Sequence, residues 1–348
     1  MLKGAFVGFG NVARLGHLPA WLSRDDVEIV AAADVRPEGR TALAAALPAA
    51  RWYESPQAML AEEELDFVDV CTPPAFHAAE IRRALEREVH VLCEKPLVLR
   101  EDDLEELAAL ARRNNRALAT VHNWRHAPAL RRVSELAAAG ELGSILRCRW
   151  ETLRDQPAGA AGFPEGGNWR VDPAIAGGGI LIDHGWHALY AIQSWISGEP
   201  ERIRATLESR RHREWAIEDT AEVRLDFPQA AAEIFLTWAA GDRANRLWLE
   251  GSAATLVLDG ARLEIRQPDG TVRSNETIGR LSEGSHHPDW FGATAAEFLS
   301  EIREPSRRGR SLGEARKCLR WIATAREASR RGAAVEAAAG SAASGAPL

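Results

Sequence analysis

Cysteine, methionine and tyrosine are scarce in this chain: four, two and two among 348 residues. Cys71, Cys93, Cys148 and Cys318 stand far apart with no CxxC spacing. That argues against a zinc knuckle or a disulfide framework and fits a reducing, cytoplasmic setting. No run of about 18 apolar residues is present, and the start of the chain has no charged leader or cleavage site, so neither a membrane span nor export is expected. Positive charge is also in deficit. Lys and Arg number 43 against 50 Asp and Glu, a net charge of −7 without a polybasic tract, so neither nucleic acid nor an anionic membrane is an expected partner. What is present, 46% hydrophobic and 27% charged residues, is a globular composition. At about 150 residues per domain, the length predicts two domains.

Through the first third, β-prone runs (Leu2 to Val7, Val27 to Ala33, Phe67 to Val70, Val89 to Leu92, Ala117 to Val121) alternate with helical patterns. The helical patterns are Val12 to Leu22, Arg36 to Leu47, Pro56 to Glu64, Ala75 to Arg87 and Glu101 to Asn114. Such alternation predicts βαβ units and a doubly wound parallel sheet over residues 1–121. From 122 to 335 the pattern changes. A helix from Pro128 to Ala139 leads to a strand from Ser144 to Leu153, a Gly- and Pro-rich loop from Gln156 to Gly179, and a helix from Ile180 to Ser197. Six alternating segments follow: Arg202 to Ser209, Ala221 to Phe227, Ala232 to Trp238, Arg246 to Glu250, Thr255 to Leu258 and Arg262 to Arg266. Asp259-Gly260 and Asp269-Gly270 mark turns, and helices at Pro288 to Ile302 and Leu312 to Arg330 close the pattern. This half reads as an α+β domain with a largely antiparallel sheet, and residues 336–348, mostly Ala, Gly and Ser, as a disordered tail.

Three constellations carry chemistry. Gly8-Phe9-Gly10-Asn11-Val12-Ala13 is a GxGxxA turn after a strand and before a helix, suited to placing a pyrophosphate on backbone amides. Asp34 ends the next strand, where a carboxylate accepts from the adenosine ribose hydroxyls. An acid there favours NAD, while Arg36 leaves NADP open, since a guanidinium can take the extra phosphate. Glu94-Lys95-Pro96 and Cys71-Thr72-Pro73 with His77 follow two further strands, so both loops should face the same crevice, with Lys95 aimed at a reacting oxygen. Gly177-Gly178-Gly179 precedes Asp183 and His187, four residues apart on one predicted helix face, an arrangement in which the carboxylate orients an imidazole acting as acid or base. The triple glycine would let a ligand approach the backbone. A metal site from Asp183, His184 and His187 is not expected, because adjacent His184 points away around the helix and no HExxH spacing occurs.

Taken together, GxGxxA at 8–13, Asp34, Thr72-Pro73 with His77, Glu94-Lys95-Pro96 and the triple glycine followed by Asp183-x-x-x-His187 resemble the Gfo/Idh/MocA oxidoreductases, the glucose-fructose oxidoreductase and inositol dehydrogenase group. The similarity runs from Lys3 to about Val335 and includes Gly140-Glu-Leu-Gly143 and Trp169-Arg170. It implies a Rossmann domain holding NAD or NADP, and a sugar, cyclitol or related polyol against the second domain. It also implies hydride transfer to or from nicotinamide C4, with Lys95 on the reacting oxygen, His187 exchanging the proton, and Asp183 holding a substrate hydroxyl or orienting His187. A homodimer or homotetramer through the open sheet is implied as well. The chain departs from the family pattern at Tyr190, where an acid is common, and at His184 and Trp186, where small or aliphatic residues are common.

Asn123, Trp169, Arg170 and His184 are the candidates for substrate contact, with His286 and His287 as weaker ones. Two other functions fit the same residues. One is a redox-assisted hydrolase or lyase that retains NAD; the other is a cofactor-binding sensor without turnover, which the presence of Lys95, Asp183 and His187 disfavours.

Overall fold

The computed structural model describes residues 1–159 and 167–337. Strands β1 (Leu2–Val7), β2 (Val27–Ala33), β3 (Arg51–Tyr53), β4 (Phe67–Val70), β5 (His90–Cys93) and β6 (Leu118–Thr120) form a parallel sheet in the order β3-β2-β1-β4-β5-β6. A π-helical segment, Val12–His17, runs into α1 (Leu18–Leu22); α2 (Glu38–Ala46), α3 (Pro56–Glu62), α4 (Pro74–Glu86) and α5 (Glu101–Arg113) supply the other crossovers. The local causes are legible. The Ser55 side chain accepts from the Ala58 N–H ahead of Pro56 to start α3, and α5 carries Glu101, Asp102 and Asp103 in its first turn with Arg112 and Arg113 in its last, complementing the helix dipole. The strand order reverses between β1 and β4, and the crevice outside such a reversal is where open α/β sheets bind ligands.

The second half begins with α6 (Pro128–Ala138) and β7 (Ile145–Leu153), followed by the short helices α7 (Pro173–Ala176), α8 (Ile180–Asp183) and α9 (Gly185–Ile192). Strands β8 (Arg202–Glu208), β9 (Thr220–Asp226), β10 (Ala231–Thr237), β11 (Ala244–Gly251), β12 (Thr255–Asp259), β13 (Arg262–Arg266) and β14 (Val272–Thr277) come next, then α10 (Pro288–Arg303), α11 (Arg310–Arg331) and β15 (Val335–Glu336). The nine-stranded sheet has the order β14-β13-β12-β11-β7-β10-β9-β8-β15. Its neighbours are antiparallel except β7 and β10, which run parallel from Arg147↔Ala231 to Leu153↔Thr237. One face packs on α9 and α11. The other displays Arg149, Arg224, Glu233, Phe235 and Trp248 between ion pairs such as Arg224–Glu233.

Five differences from the sequence reading have physical reasons. β3 is three residues long, too short for alternation to show, and β14 has one apolar residue and is held by its ladder to β13. The expected single helix from Ile180 breaks at His184, where α8 ends and Gly185 opens α9. Glu336, placed in the tail by composition, pairs with Arg202 as Val335 pairs with Ile203; the tail from 338 onward lies outside the described residues. Of the three glycines at 177–179, Gly178 lines the ligand cavity, whereas Gly177 and Gly179 do not leave room for a ligand. A Cβ on Gly177 would meet the Leu99 side chain, and one on Gly179 would lie 1.9 Å from the Glu218 carbonyl oxygen, so these positions are small because protein packs on them.

Helix α10 crosses back to the first sheet. Phe291, Ala295, Phe298 and Leu299 join Phe6, Trp21 and Phe67 in one buried cluster, with Phe298 edge-on to Phe67 at 5.7 Å and Phe291 edge-on to Trp21 at 5.6 Å. Glu301 on the same helix is 7% exposed, and one carboxylate oxygen has no hydrogen-bond partner among the described residues. Burial, with Glu297 nearby, pushes its carboxyl up from 4.5 to about 8. Because the folded value lies above the unfolded one, folding is unpenalised below pH 4.5, and the penalty accumulates until pH passes about 8. Glu301→Gln is therefore expected to raise Tm by several degrees (about 1 kcal/mol or more) at pH 8.5 and to leave it unchanged at pH 4.5, read by thermal melts at the two pH values.

Candidate active site

A cavity of about 760 Å³ opens along the C-terminal ends of the parallel strands and beneath the second domain. At its cofactor end, Gly8, Gly10, Asn11, Val12, Asp34, Arg36, Thr72 and Pro73 form the wall. Gly8 has φ +85°, and a Cβ there would stand 2.8 Å from the Thr72 backbone nitrogen, so the turn is as close to the next strand-end loop as backbone permits. Asp34 Oδ2 accepts the Phe9 N–H at 2.8 Å and Oδ1 accepts the Arg36 N–H at 2.9 Å, while the Arg36 guanidinium reaches both oxygens at 3.3 Å. A glycine turn at a helix start with a fixed carboxylate 25 residues on fits a dinucleotide's pyrophosphate and adenosine ribose.

Two residues assigned to cofactor contact do not line this cavity. Ala13 is fully buried against the sheet. His77 is fully buried too, with Nδ1 2.8 Å from the Pro96 carbonyl and Nε2 2.7 Å from the Thr72 carbonyl, so it cross-links the two strand-end loops instead of lining the cavity. Sequence spacing places a residue at a helix start but not on which side of the loop it falls.

At the other end of the cavity, Lys95 Nζ donates to Asp183 Oδ1 at 2.6 Å and to the Asp183 carbonyl at 2.8 Å. Burial works against the Asp183 charge, yet Lys95, His184 and Arg170 outweigh it and hold the carboxyl well below the usual carboxylate range. His184 Nδ1 lies 3.3 Å and Arg170 Nε 4.0 Å from Asp183 Oδ2. Asp183 is thus turned toward Lys95, and His187 takes its orientation elsewhere. His187 Nδ1 is 3.0 Å from the Tyr190 hydroxyl, which accepts the Trp124 N–H at 3.0 Å, and the imidazole lies flat on the Trp124 ring at 4.4 Å. Tyr190 supplies a neutral partner where an acid is common. Burial and the neighbouring Lys95 charge keep His187 well below 6.5, so the ring is neutral at pH 7.

Asn123, Trp169, Arg170 and His184 all line the cavity, as do His286 and His287. Arg170 lies over the Trp169 ring at 4.3 Å, and His287 stacks on Trp290 at 3.5 Å. Sequence reasoning missed two participants, Arg154 and His17, and reached a third, Trp124, only as part of a run expected on the crevice rim. Trp124 was available in the His122-Asn123-Trp124-Arg125 run, and its position beside Asn123 was the signal. Arg154 contributes to the wall from the end of β7 while donating to the Leu153 and Ala244 carbonyls. His17 reaches the wall from the π-helical segment. Among the described residues, His17, Asp69 and Cys71 form one group with metal-ligand spacing, their donor atoms within 4.8 Å of one another.

A doubly wound domain whose strand ends share a cavity with an open-faced α+β domain, lined by a dinucleotide turn at one end and a Lys–Asp pair beside a neutral histidine at the other, defines a two-domain nicotinamide-dependent oxidoreductase. Residues 2–122 match the model of the oxidoreductase family with an NAD-binding Rossmann fold and residues 130–257 match the GFO/IDH/MocA C-terminal domain; the chain belongs to the GFO/IDH/MocA oxidoreductase family. It is 35% identical over 201 residues to D-glucoside 3-dehydrogenase of Escherichia coli K12, covering 57% of this chain and 55% of that protein's length. It is 30% identical over 282 residues to D-apiose dehydrogenase of Paraburkholderia graminis, covering 77% of this chain and 71% of that one. Among solved structures it resembles GenD2 from gentamicin A biosynthesis in complex with NAD, with a TM-score of 0.82, 24% identity and 97% of each chain covered. An Agrobacterium radiobacter oxidoreductase in complex with NAD+, L-tartaric acid and magnesium gives a TM-score of 0.82 at 21% identity, covering 96% of this chain and 98% of that one. These two show the shared fold. No helix among the described residues is long and apolar enough to cross a membrane.

Proposed function

We propose that this protein oxidises a hydroxyl, or reduces the matching ketone, of a sugar, cyclitol or related polyol, with Lys95 binding the reacting oxygen and His187 exchanging its proton. The observation that supports this most directly is that the Lys95–Asp183 pair and the neutral His187 line the same cavity as the Gly8 turn and Asp34. When bound, the nicotinamide supplies or accepts hydride; what the chain contributes is positioning and proton handling. Lys95 keeps one N–H donor for an oxygen beyond the two given to Asp183. Asp183 holds the ammonium in place, and neutral His187 accepts a proton from an alcohol or, protonated, returns one to a ketone. Asn123, Trp169, Arg170 and His184 offer amide, stacking and guanidinium contacts of the kind that hold sugar faces and hydroxyls. The D-glucoside, D-apiose and D-xylose dehydrogenases among the relatives support a carbohydrate-like substrate. A cytoplasmic location is consistent with four unpaired cysteines. A homodimer or homotetramer would use the open sheet face bearing Phe235 and Trp248, and light scattering on purified protein reads its mass.

The direct test is turnover of NAD, followed by nicotinamide absorbance, over D-glucose, methyl glucosides, D-xylose and myo-inositol. Net NADH formation supports the dehydrogenase; altered sugar with retained NAD supports the redox-assisted hydrolase; binding of NAD with no conversion in any panel member supports the sensor. Asp34 makes a separate prediction. Asp34→Ala removes the carboxylate at the ribose end, which favours NAD and repels a 2′-phosphate, so the ratio of NADP to NAD affinity is expected to rise by about tenfold, measured by fluorescence titration.

A further inference from the structure

In the Glu94-Lys95-Pro96 turn, a glutamate with no part in the proposed proton transfer stands directly before Lys95. Glu94 Oε2 accepts the backbone N–H of Lys95 at 3.0 Å, and Oε1 lies 3.1 Å from His17 Nε2. His17 is 1% exposed. Its other nitrogen, Nδ1, lies 2.9 and 3.1 Å from the two oxygens of Asp69, and the Trp21 indole N–H donates to Asp69 Oδ2 at 2.8 Å. The ring is seated flat on Phe291 of α10, 3.6 Å between centroids and 7° between planes. A carboxylate only accepts, so a ring with a carboxylate on each nitrogen satisfies both contacts only by donating from both, as imidazolium.

We infer that His17 is a positioning residue for the reaction: a buried imidazolium that donates to Asp69 on one side and Glu94 on the other, and so fixes the turn that aims Lys95. This rests on the reading of Lys95 given above. The charges around the ring agree. Burial opposes the positive charge, but Asp69 and Glu94 outweigh it and raise His17 to about 9. His17 in turn, with Lys95, keeps the Glu94 carboxyl below its ordinary value against the same burial. The groups facing this cluster are Asp69 and Cys71 from the β4 end, Cys93, Glu94 and Lys95 from the β5 end, and His286 from the loop before α10; α1 and α10 present the rings of Trp21 and Phe291.

Two other uses of the cluster fit less well. A metal on His17, Asp69 and Cys71 would need a lone pair on His17, and an imidazolium has none. A Cys71 nucleophile would need a thiolate, yet burial and then Asp69 push that thiol well above its ordinary range. The clamp also has a clear purpose. Without His17, the Glu94 carboxylate keeps the nearby Lys95 charge and, among the described residues, has no other cation bonded to it, so it would draw Lys95 away from Asp183.

The test uses the full chain. Nitrogen-15 NMR of histidine-labelled protein at pH 8 is expected to show one ring protonated on both nitrogens, absent in His17→Gln; a neutral single-tautomer His17 overturns the inference. Kinetics on the best sugar of the panel give the second readout. His17→Gln is expected to lower kcat about tenfold or more with KM for NAD within about threefold, and to move the acid limb of kcat upward as Glu94 begins to titrate. The double variant His17→Gln with Asp69→Asn removes the orphaned second charge. It is expected to regain melting temperature while kcat stays low. A kcat within about twofold of wild type in that double variant means His17 only neutralises a buried charge, and the inference fails. Lys95→Ala separates the two readings: if it turns over normally, the role of Lys95 has failed, and the clamp is then judged on the NMR result alone.

Discussion

Lys95→Ala is expected to reduce kcat by about a thousandfold while leaving NAD affinity within about threefold of wild type. The reason lies in the separation of tasks along the cavity. The cofactor end is held by the Gly8 turn, Asp34 and the Thr72-Pro73 loop, none of which bonds to Lys95. Lys95 instead spends two of its three donors on Asp183, at 2.6 and 2.8 Å, in the half of the cavity that His187, Asn123 and Arg170 also line. Removing the ammonium also leaves a half-buried Asp183 carboxylate without its shortest ion pair, with His184 and Arg170 at 3.3 and 4.0 Å from Oδ2. Lys95→Arg should not rescue fully, because a planar guanidinium does not reproduce a compact point charge. Pre-steady-state absorbance traces separate binding from hydride transfer. Normal traces in Lys95→Ala would remove it from the reaction.

His187→Ala is expected to cost about a hundredfold to ten-thousandfold in kcat, the range for losing a positioned acid or base. More informative is the pH profile of the unaltered protein. His187 is held well below 6.5 by burial and by the Lys95 charge, so in the oxidation direction, where the neutral ring accepts the proton, activity should persist as pH falls past 6.5 and drop only below it. Tyr190→Phe tests what sets that limb. It removes the hydroxyl 3.0 Å from Nδ1 and strips the Trp124 N–H of its acceptor, so kcat should fall by about tenfold, with little change in KM for NAD. A limb at or above 6.5 in the unaltered protein would mean that His187 is not the base.

The sequence made the cofactor end more legible than the substrate end. Gly8, Gly10 and Asp34 carry their meaning locally: a tight turn, a helix start and a strand end within 34 residues. His187 does not. Spacing by four put Asp183 beside it, but the helix breaks at His184, and the ring is oriented by Tyr190 on its own helix and by Trp124, 63 positions earlier. His77 went astray for a similar reason, since its partners are two carbonyls on different loops. The strands followed the same rule. Those with alternating or continuous apolar residues were readable to within a residue or two, whereas β14 exists because β13 offers it a ladder, and no local pattern encodes that.

The return of α10 to the first sheet bears on how such a chain could be cut or recombined. A fragment ending near residue 122 would look complete by its strand count and by its dinucleotide turn, yet it would leave Phe6, Trp21 and Phe67 without Phe291, Phe298 and Leu299. Such a fragment should be sticky and poorly soluble. The unit that can be grafted or inherited whole is therefore discontinuous, the first third of the chain together with a helix encoded some 170 positions later, and a protease nick in the segment between them would leave the two pieces clasped.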